Sequence, residues 1–246
     1  MTDDFNSMSA GNVVFFTVVV FTMCVLFAVP QWMMLCLFAD NHLWYTLACI
    51  LIGFLLLTCI HLVEFLKYKR PYNYIAIFIC YEFLTLGTGS FLMEWDLIST
   101  IIVIVLALLY QIAVLFFCFL LIYCKYTGNP FKLAVVGGMG FVLAYIINMV
   151  DILKLFYYWY DLAVIVFLVS VTIMMIAHVL ITHMNFESLV KDDILLVAIV
   201  MYITYLLLVI GARVSAYCLI ENIAFHRDHN SGGAEEANKS IMIKTT

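Results

Sequence analysis

Seven uninterrupted apolar runs constrain the fold of this chain more than any other feature of its sequence. A helix rises about 1.5 Å per residue and needs roughly 18 residues or more to cross a bilayer, and every run reaches that length. Backbone N–H and C=O groups cannot be left unpaired in lipid, so continuous runs of this length predict helices. The sequence therefore predicts an all-α, polytopic membrane bundle of seven transmembrane helices. The runs are Val13–Phe38, Leu43–Val63, Tyr72–Met93, Leu97–Tyr123, Leu133–Val150, Leu155–Thr182 and Ile194–Ala212.

The composition agrees with a membrane-embedded chain and defines its domains. Hydrophobic residues make up 67% and charged residues 11% of the 246 residues, and the mean hydropathy is +1.14, values outside the range of soluble domains. Residues 1–12 predict a short cytosolic N-terminus, residues 13–220 the seven-helix domain, and residues 221–246 a disordered polar tail. The lipid bilayer is the predicted partner, with other membrane proteins as further candidates, and no nucleic acid is expected.

Basic residues in the connections predict the orientation of the bundle. The second connection carries Lys67, Lys69 and Arg70, and the fourth carries Lys125 and Lys132. Cytoplasmic loops are enriched in Lys and Arg, so both connections and the N-terminus are predicted to be cytosolic. The last run leaves two alternatives: a full span puts the C-terminus on the opposite side, and a re-entrant segment keeps both ends in the cytosol.

One acid, Glu82, lies in the middle of the third apolar run. A charged carboxylate near mid-membrane costs about 3 kcal/mol or more, so it normally faces a bundle interior or a wet cavity. We expect Glu82 to serve an ion or proton path; the alternative is a neutral acid hydrogen-bonded to a neighbouring helix. Gln111 and Asn148 are further oxygen donors inside the membrane. His61 and His178 are the remaining intramembrane polar candidates. Single histidines in apolar helices are more often hydrogen-bonded packing residues than functional ones.

Small residues four apart predict close helix contacts, because they let a neighbouring helix approach. The fifth run contains two such pairs, Ala134/Gly138 and Gly140/Ala144, and the third contains Thr85/Gly89.

The stretch KYKRPYNYIAIFICYEFLTLGTG, Lys67–Gly89, resembles the Bax-inhibitor-motif family, which includes the lifeguard and Golgi anti-apoptotic proteins. In that family a basic cluster precedes Pro-x-Asn, here Pro71 and Asn73. The segment Glu82–Leu86 resembles the Glu-x-Leu-Thr segment of the Golgi branch, although its spacing from Pro71 is shorter by two. Looser matches continue through the fourth connection and fifth span, and they cover about Val13 to Gly211. They include IAHVLI (Ile176–Ile181) and KDDILLVAIVMY (Lys191–Tyr202).

The resemblance implies a non-enzymatic protein of endoplasmic reticulum or Golgi membranes, with the plasma membrane as the alternative. It also implies modulation of calcium leak and cell-death sensitivity, with calcium as the permeant ion and not a resident cofactor. The family's hallmark is a pair of aspartates in the last two spans whose shared proton gates the leak. The matching positions here are Ile176 and Thr204. Two close carboxylates shift one another's pKa, and these residues cannot, so no pH latch is expected.

Three other functions remain open from the sequence. A scaffold that does not conduct ions would bind other membrane proteins through its spans. An intramembrane zinc hydrolase would need about three ligands around an open position, and the available imidazoles are His61, His178 and His183. His178 and His183 are five apart, unlike the i, i+4 pair of a helical zinc site. A seven-helix receptor fits the span count, but no Asp-Arg-Tyr-like triplet follows the third span. No catalytic residue and no metal site is predicted.

Overall fold

The computed structural model describes residues 10–38, 43–63, 69, 71–92, 97–152, 159–185 and 193–217, and these contain seven α-helices and no strand. The predicted all-α fold is therefore confirmed. The predicted tail, residues 221–246, and most of the predicted N-terminal segment lie outside the described residues. The helices are α1 Ala10–Phe38, α2 Leu43–Leu62, α3 Tyr72–Leu92, α4 Leu97–Tyr123, α5 Pro130–Ile152, α6 Trp159–Met184 and α7 Asp193–Tyr217.

All seven helices are long and apolar enough to cross a membrane, so the protein is a multi-pass integral membrane protein. The last helix has 25 residues, which gives a length of about 37 Å and matches a full span. Because successive spans alternate in direction, α1, α3, α5 and α7 begin on one side of the membrane, called here the N-side. The predicted cytosolic location of that side rests on the positive charges of the connections.

Two helices, α3 and α7, form the centre of the bundle. In their spans 61% and 67% of the residues are buried, against 33% or less in each of the other five. Among the other helices, α1 and α2 pack against α3, and α4 and α5 pack against α6. Large apolar side chains on the outer helices, such as Phe27, Trp44 and Phe116, are exposed. In a membrane these surfaces face lipid.

Small residues determine how closely the helices approach. A Cβ added at Gly89 of α3 would meet the ring of Trp32, and one added at Gly140 of α5 would meet the Ser170 hydroxyl of α6. Both predicted close contacts are therefore confirmed at these glycines. The predicted contact at Gly138 is wrong, because no atom of the described residues lies within 4 Å of a Cβ there. Gly137, one residue earlier, faces Met174 instead, since it is Gly137 and Gly140 that share the α6-facing side of α5.

Candidate functional site

Glu82 lies at the edge of the outward surface of α3, near the middle of the membrane. Its side chain is half-buried. Ile75, Phe78 and Ile79 on the same helix are 51%, 61% and 41% exposed. Positions 75, 78, 79 and 82 follow helical spacing along one face. The acid therefore continues a lipid-facing stripe of α3 instead of pointing into the centre of the bundle.

Gln31 of α1 is the side chain that reaches Glu82. Its Nε2 lies 3.5 Å from both Glu82 Oε1 and Glu82 Oε2, longer than the 2.7–3.2 Å of a well-formed N–H···O hydrogen bond. The other amide atom, Gln31 Oε1, is buried without a hydrogen-bond partner among the described residues. This half-satisfied pair, together with Ile75, Phe78 and Ile79, is called the Glu82 seam.

Behind the seam, hydrogen bonds join α1, α3 and α7. Tyr81 OH donates to the Cys24 carbonyl at 2.8 Å, and Trp32 Nε1 donates to the Thr85 carbonyl at 2.9 Å. The Thr85 hydroxyl lies 2.7 Å from the Tyr81 carbonyl and 2.8 Å from Tyr202 OH. A hydroxyl has one proton, and a carbonyl can only accept, so Thr85 donates to Tyr81 and Tyr202 donates to Thr85. These five residues form the central network.

Aromatic rings fill the space around this network. Tyr202 and Tyr205 of α7 are 0% exposed, as is Trp32. The ring centroids of Tyr202 and Tyr205 are 6.4 Å apart, and those of Trp32 and Tyr205 are 6.3 Å apart. Tyr205 OH donates to the Ile104 carbonyl of α4 at 3.2 Å. The centre between α1, α3, α4 and α7 is thus a packed aromatic core whose hydroxyl groups are hydrogen-bonded.

Gln111 and Thr204 meet at one backbone oxygen. Gln111 is fully buried, and its Nε2 donates to the Met201 carbonyl at 3.2 Å. Thr204 Oγ1 donates to the same carbonyl at 2.7 Å. Ile176, the other family aspartate position, packs against a small apolar cluster that includes Val114 of α4. The two positions therefore make ordinary packing and backbone contacts.

The other predicted site residues lie elsewhere. Asn148 is half-buried and lines a mainly apolar cavity of about 360 Å³ between α5, α6 and α7. His61 is exposed, and its Nδ1 lies 2.8 Å from the Leu57 carbonyl. His178 is half-buried, and no described residue bonds its Nε2. At the start of α3, Pro71 is exposed, whereas Asn73 is buried and its Oδ1 accepts from the Tyr74 N–H.

The predicted oxygen donors have separate neighbours. Glu82 contacts Gln31, Gln111 contacts the Met201 carbonyl, and Asn148 lines its own cavity. Within the described ranges, no three His, Cys, Asp or Glu side chains form a group that could hold a metal ion.

Two important polar residues were missing from the sequence prediction. Gln31 follows Pro30 within the first apolar run. An amide side chain so far inside an apolar run indicates a polar contact within the membrane. Arg213 is only 5% exposed, and its guanidinium lies 4.6 Å from the centroid of the Phe91 ring. The predicted last run ended at Ala212, one residue too early to include it.

Comparisons with known proteins do not assign a family: no family model matches the chain, and no curated protein or solved structure matches it significantly. The resemblance to the Bax-inhibitor-motif family therefore stays a prediction. The sequence and the fold together establish a multi-pass integral membrane protein, with seven membrane-spanning helices in the part of the chain that the structure describes.

Proposed function

We propose that the protein is a non-enzymatic membrane interaction protein that binds a transmembrane helix of another membrane protein at the Glu82 seam. The observation that carries this proposal is the position of Glu82. It is a half-buried carboxylate at the edge of a lipid-facing stripe, and its contact with Gln31 is long, at 3.5 Å.

The energetics of lipid favour a partner at this place. A carboxylate near the membrane centre costs about 3 kcal/mol or more when unpaired. Hydrogen bonds between helices in membranes contribute on average about 0.6 kcal/mol and up to about 2 kcal/mol. A Lys, Arg, Asn or Gln on a partner helix would supply a closer donor to Glu82 than Gln31 does. The exposed Phe78 and Ile79 beside it would add van der Waals contact with the same helix.

The packed centre of the bundle favours a scaffold function and argues against an ion channel. An ion crossing between α1, α3 and α7 would have to displace Trp32, Tyr202 and Tyr205, which are fully buried. Glu82 lies outside this aromatic core, so a path along the centre would not use it. The fully buried Gln111 is likewise held by the Met201 carbonyl.

A calcium leak is the second candidate function, and the observation in its favour is the intramembrane acid itself. The family resemblance implies this activity, together with an effect on cell-death sensitivity and a location in the endoplasmic reticulum or Golgi. These finer statements stay predictions. Because Ile176 and Thr204 cannot share a proton, any leak should lack a titration step between about pH 6 and 8 that depends on these two positions.

Site-specific photo-crosslinking in cells tests the proposed interaction. A benzophenone amino acid at Phe78, one helical turn from Glu82, should give a crosslinked product of defined mass. The same probe at Phe116 of α4, which is 65% exposed, is the surface control. The Phe78 product should disappear in Glu82→Leu and persist in Thr58→Val. Thr58 is a matched control because its hydroxyl is already bonded to the Phe54 carbonyl at 2.9 Å.

The identity of the captured partner completes the test. Its crosslinked helix should carry a hydrogen-bond donor at the same depth, and replacing that donor with Leu should also abolish the product. A product of twice the monomer mass would identify the partner as a second copy. Equal products from Phe78 and Phe116, or a Phe78 product that survives Glu82→Leu, would refute the proposal.

A further inference from the structure

A cavity of about 400 Å³ opens at the N-side of the bundle, away from the Glu82 seam. Its walls come from the first turns of α1, the last turns of α4 and α6, and the start of α7, and they are mainly apolar. Its volume falls within the range of small-molecule sites, about 300–1,000 Å³. The cavity is therefore large enough for part of a lipid.

Two buried polar atoms in this cavity have no hydrogen-bond partner among the described residues. Thr17 is 6% exposed and lines the cavity, as does His178. Neither Thr17 Oγ1 nor His178 Nε2 is bonded by any described residue. Such groups cost free energy unless something hydrogen-bonds to them. Thr17 lies seven residues from the start of α1 and His178 lies six residues from the end of α6. Both therefore lie about 9–11 Å from the helix ends.

A second cavity adjoins the first toward the membrane surface. It has a volume of about 440 Å³, shares Ile122, His183 and Met184 with the inner cavity, and is also lined by Lys125 and Tyr126. No Asp or Glu occurs among the described residues that line either cavity. The outer cavity therefore presents the Lys125 ammonium group, whereas the inner cavity is mainly apolar.

The backbone holds Lys125 at this position in an unusual conformation. Its φ is 52°, in the left-handed region that favours glycine. The Lys125 N–H donates to the Ile122 carbonyl and the Tyr126 N–H to the Leu121 carbonyl, both at 3.0 Å. This is the Schellman arrangement, in which glycine is the usual residue at the position of Lys125. A lysine at this position therefore carries backbone strain that a glycine would not.

We propose that the two cavities bind one phospholipid with an anionic headgroup. The phosphate would meet Lys125, and an acyl chain would fill the apolar inner cavity. An ester carbonyl would accept a hydrogen bond from the Thr17 hydroxyl, which lies below the headgroup. Basic pockets between transmembrane helices on the cytoplasmic side are suited to anionic headgroups. The inference does not depend on the proposed partner of Glu82, because the two sites share no residue.

Native mass spectrometry of the purified full-length protein tests the site. Phosphatidic acid and phosphatidylcholine with identical acyl chains are offered at equal concentration. The wild type should retain phosphatidic acid preferentially. Lys125→Gly should lower that retention about five-fold and raise the melting temperature of the lipid-free protein, because the left-handed strain is relieved. Lys132→Ala, in a residue of the same basic region that lines neither cavity, should leave retention unchanged.

Thr17→Val tests the inner part of the site. It should lower the retention of both phospholipids about five-fold, because both carry ester carbonyls. It should also raise the melting temperature of the lipid-free protein, since an unpartnered buried hydroxyl is removed. If the Thr17 hydroxyl does not contact the lipid, Thr17→Val would leave the retention of both phospholipids unchanged.

Three results would overturn the proposal. They are equal retention of the two lipids by the wild type, an equal loss in Lys132→Ala and Lys125→Gly, and unchanged retention in Thr17→Val. Glu82→Leu should retain phosphatidic acid normally, so a failure of the proposed partner interaction would leave this result intact.

Discussion

At the scale of single residues, the geometry of the central network specifies which hydroxyl group donates each hydrogen bond. Thr85 donates to the Tyr81 carbonyl, so Tyr202 must donate to Thr85, over 2.8 Å. Tyr202→Phe should remove this donor, leave the ring packing intact and cost about 1 kcal/mol of unfolding free energy. The measurement is thermal unfolding of the purified protein in detergent. Tyr217→Phe, at an exposed ring near the end of α7, is the control, and equal melting temperatures for the two variants would contradict the network.

Glu82 illustrates what a sequence can and cannot predict about a residue in a membrane. Its depth followed directly from its place within a long apolar run. Its direction did not, because a membrane helix is apolar toward both lipid and protein, and no polar stripe marks the outward face. The sequence alone is therefore compatible both with the expected interior position and with the observed half-buried position at the edge of α3. Only the packing of α1, which brings Gln31 close to Glu82, distinguishes the two.

At the scale of helices, α5 offers a matched pair of glycines. Gly140 faces the Ser170 hydroxyl of α6, whereas no atom in the described part of the chain lies within 4 Å of a Cβ at Gly138. Gly140→Val should force α5 and α6 apart and cost about 1–3 kcal/mol. Gly138→Val changes the same residue type in the same helix and should cost much less. Melting temperatures of the two variants test this, and a cost at Gly138 as large as at Gly140 would contradict the helix register.

The sequence predicted the helices themselves closely but not their contacts. The third, fourth and fifth helices begin or end within three residues of the predicted runs, since lipid leaves a continuous apolar run few alternatives to a helix. The contact faces were predicted from small residues alone, and the two pairs in α5, Ala134/Gly138 and Gly140/Ala144, indicated two candidate faces. Only one of them, containing Gly140 and Ala144, is the face that packs.

At the scale of the whole molecule, the seven spans and the basic connections predict the orientation. The N-terminus and the connection that contains Lys69 should lie on the same side, because two spans separate them. Reporter tags inserted at residue 1 and at residue 69 should therefore be equally accessible to protease in sealed vesicles. Opposite accessibility of the two tags would contradict the topology.

Calcium flux into liposomes that contain the purified protein tests most directly whether Glu82 serves a partner helix or an ion path. Glu82→Gln keeps the size and hydrogen-bonding capacity of the side chain and removes its charge. With the aromatic core closed and Glu82 at the outer edge of α3, we expect wild type and Glu82→Gln to give the same calcium flux at equal protein content, no higher than the flux of protein-free vesicles. A flux present in the wild type and abolished in a Glu82→Gln variant of unchanged thermal stability would contradict the scaffold account and establish the acid as part of an ion path.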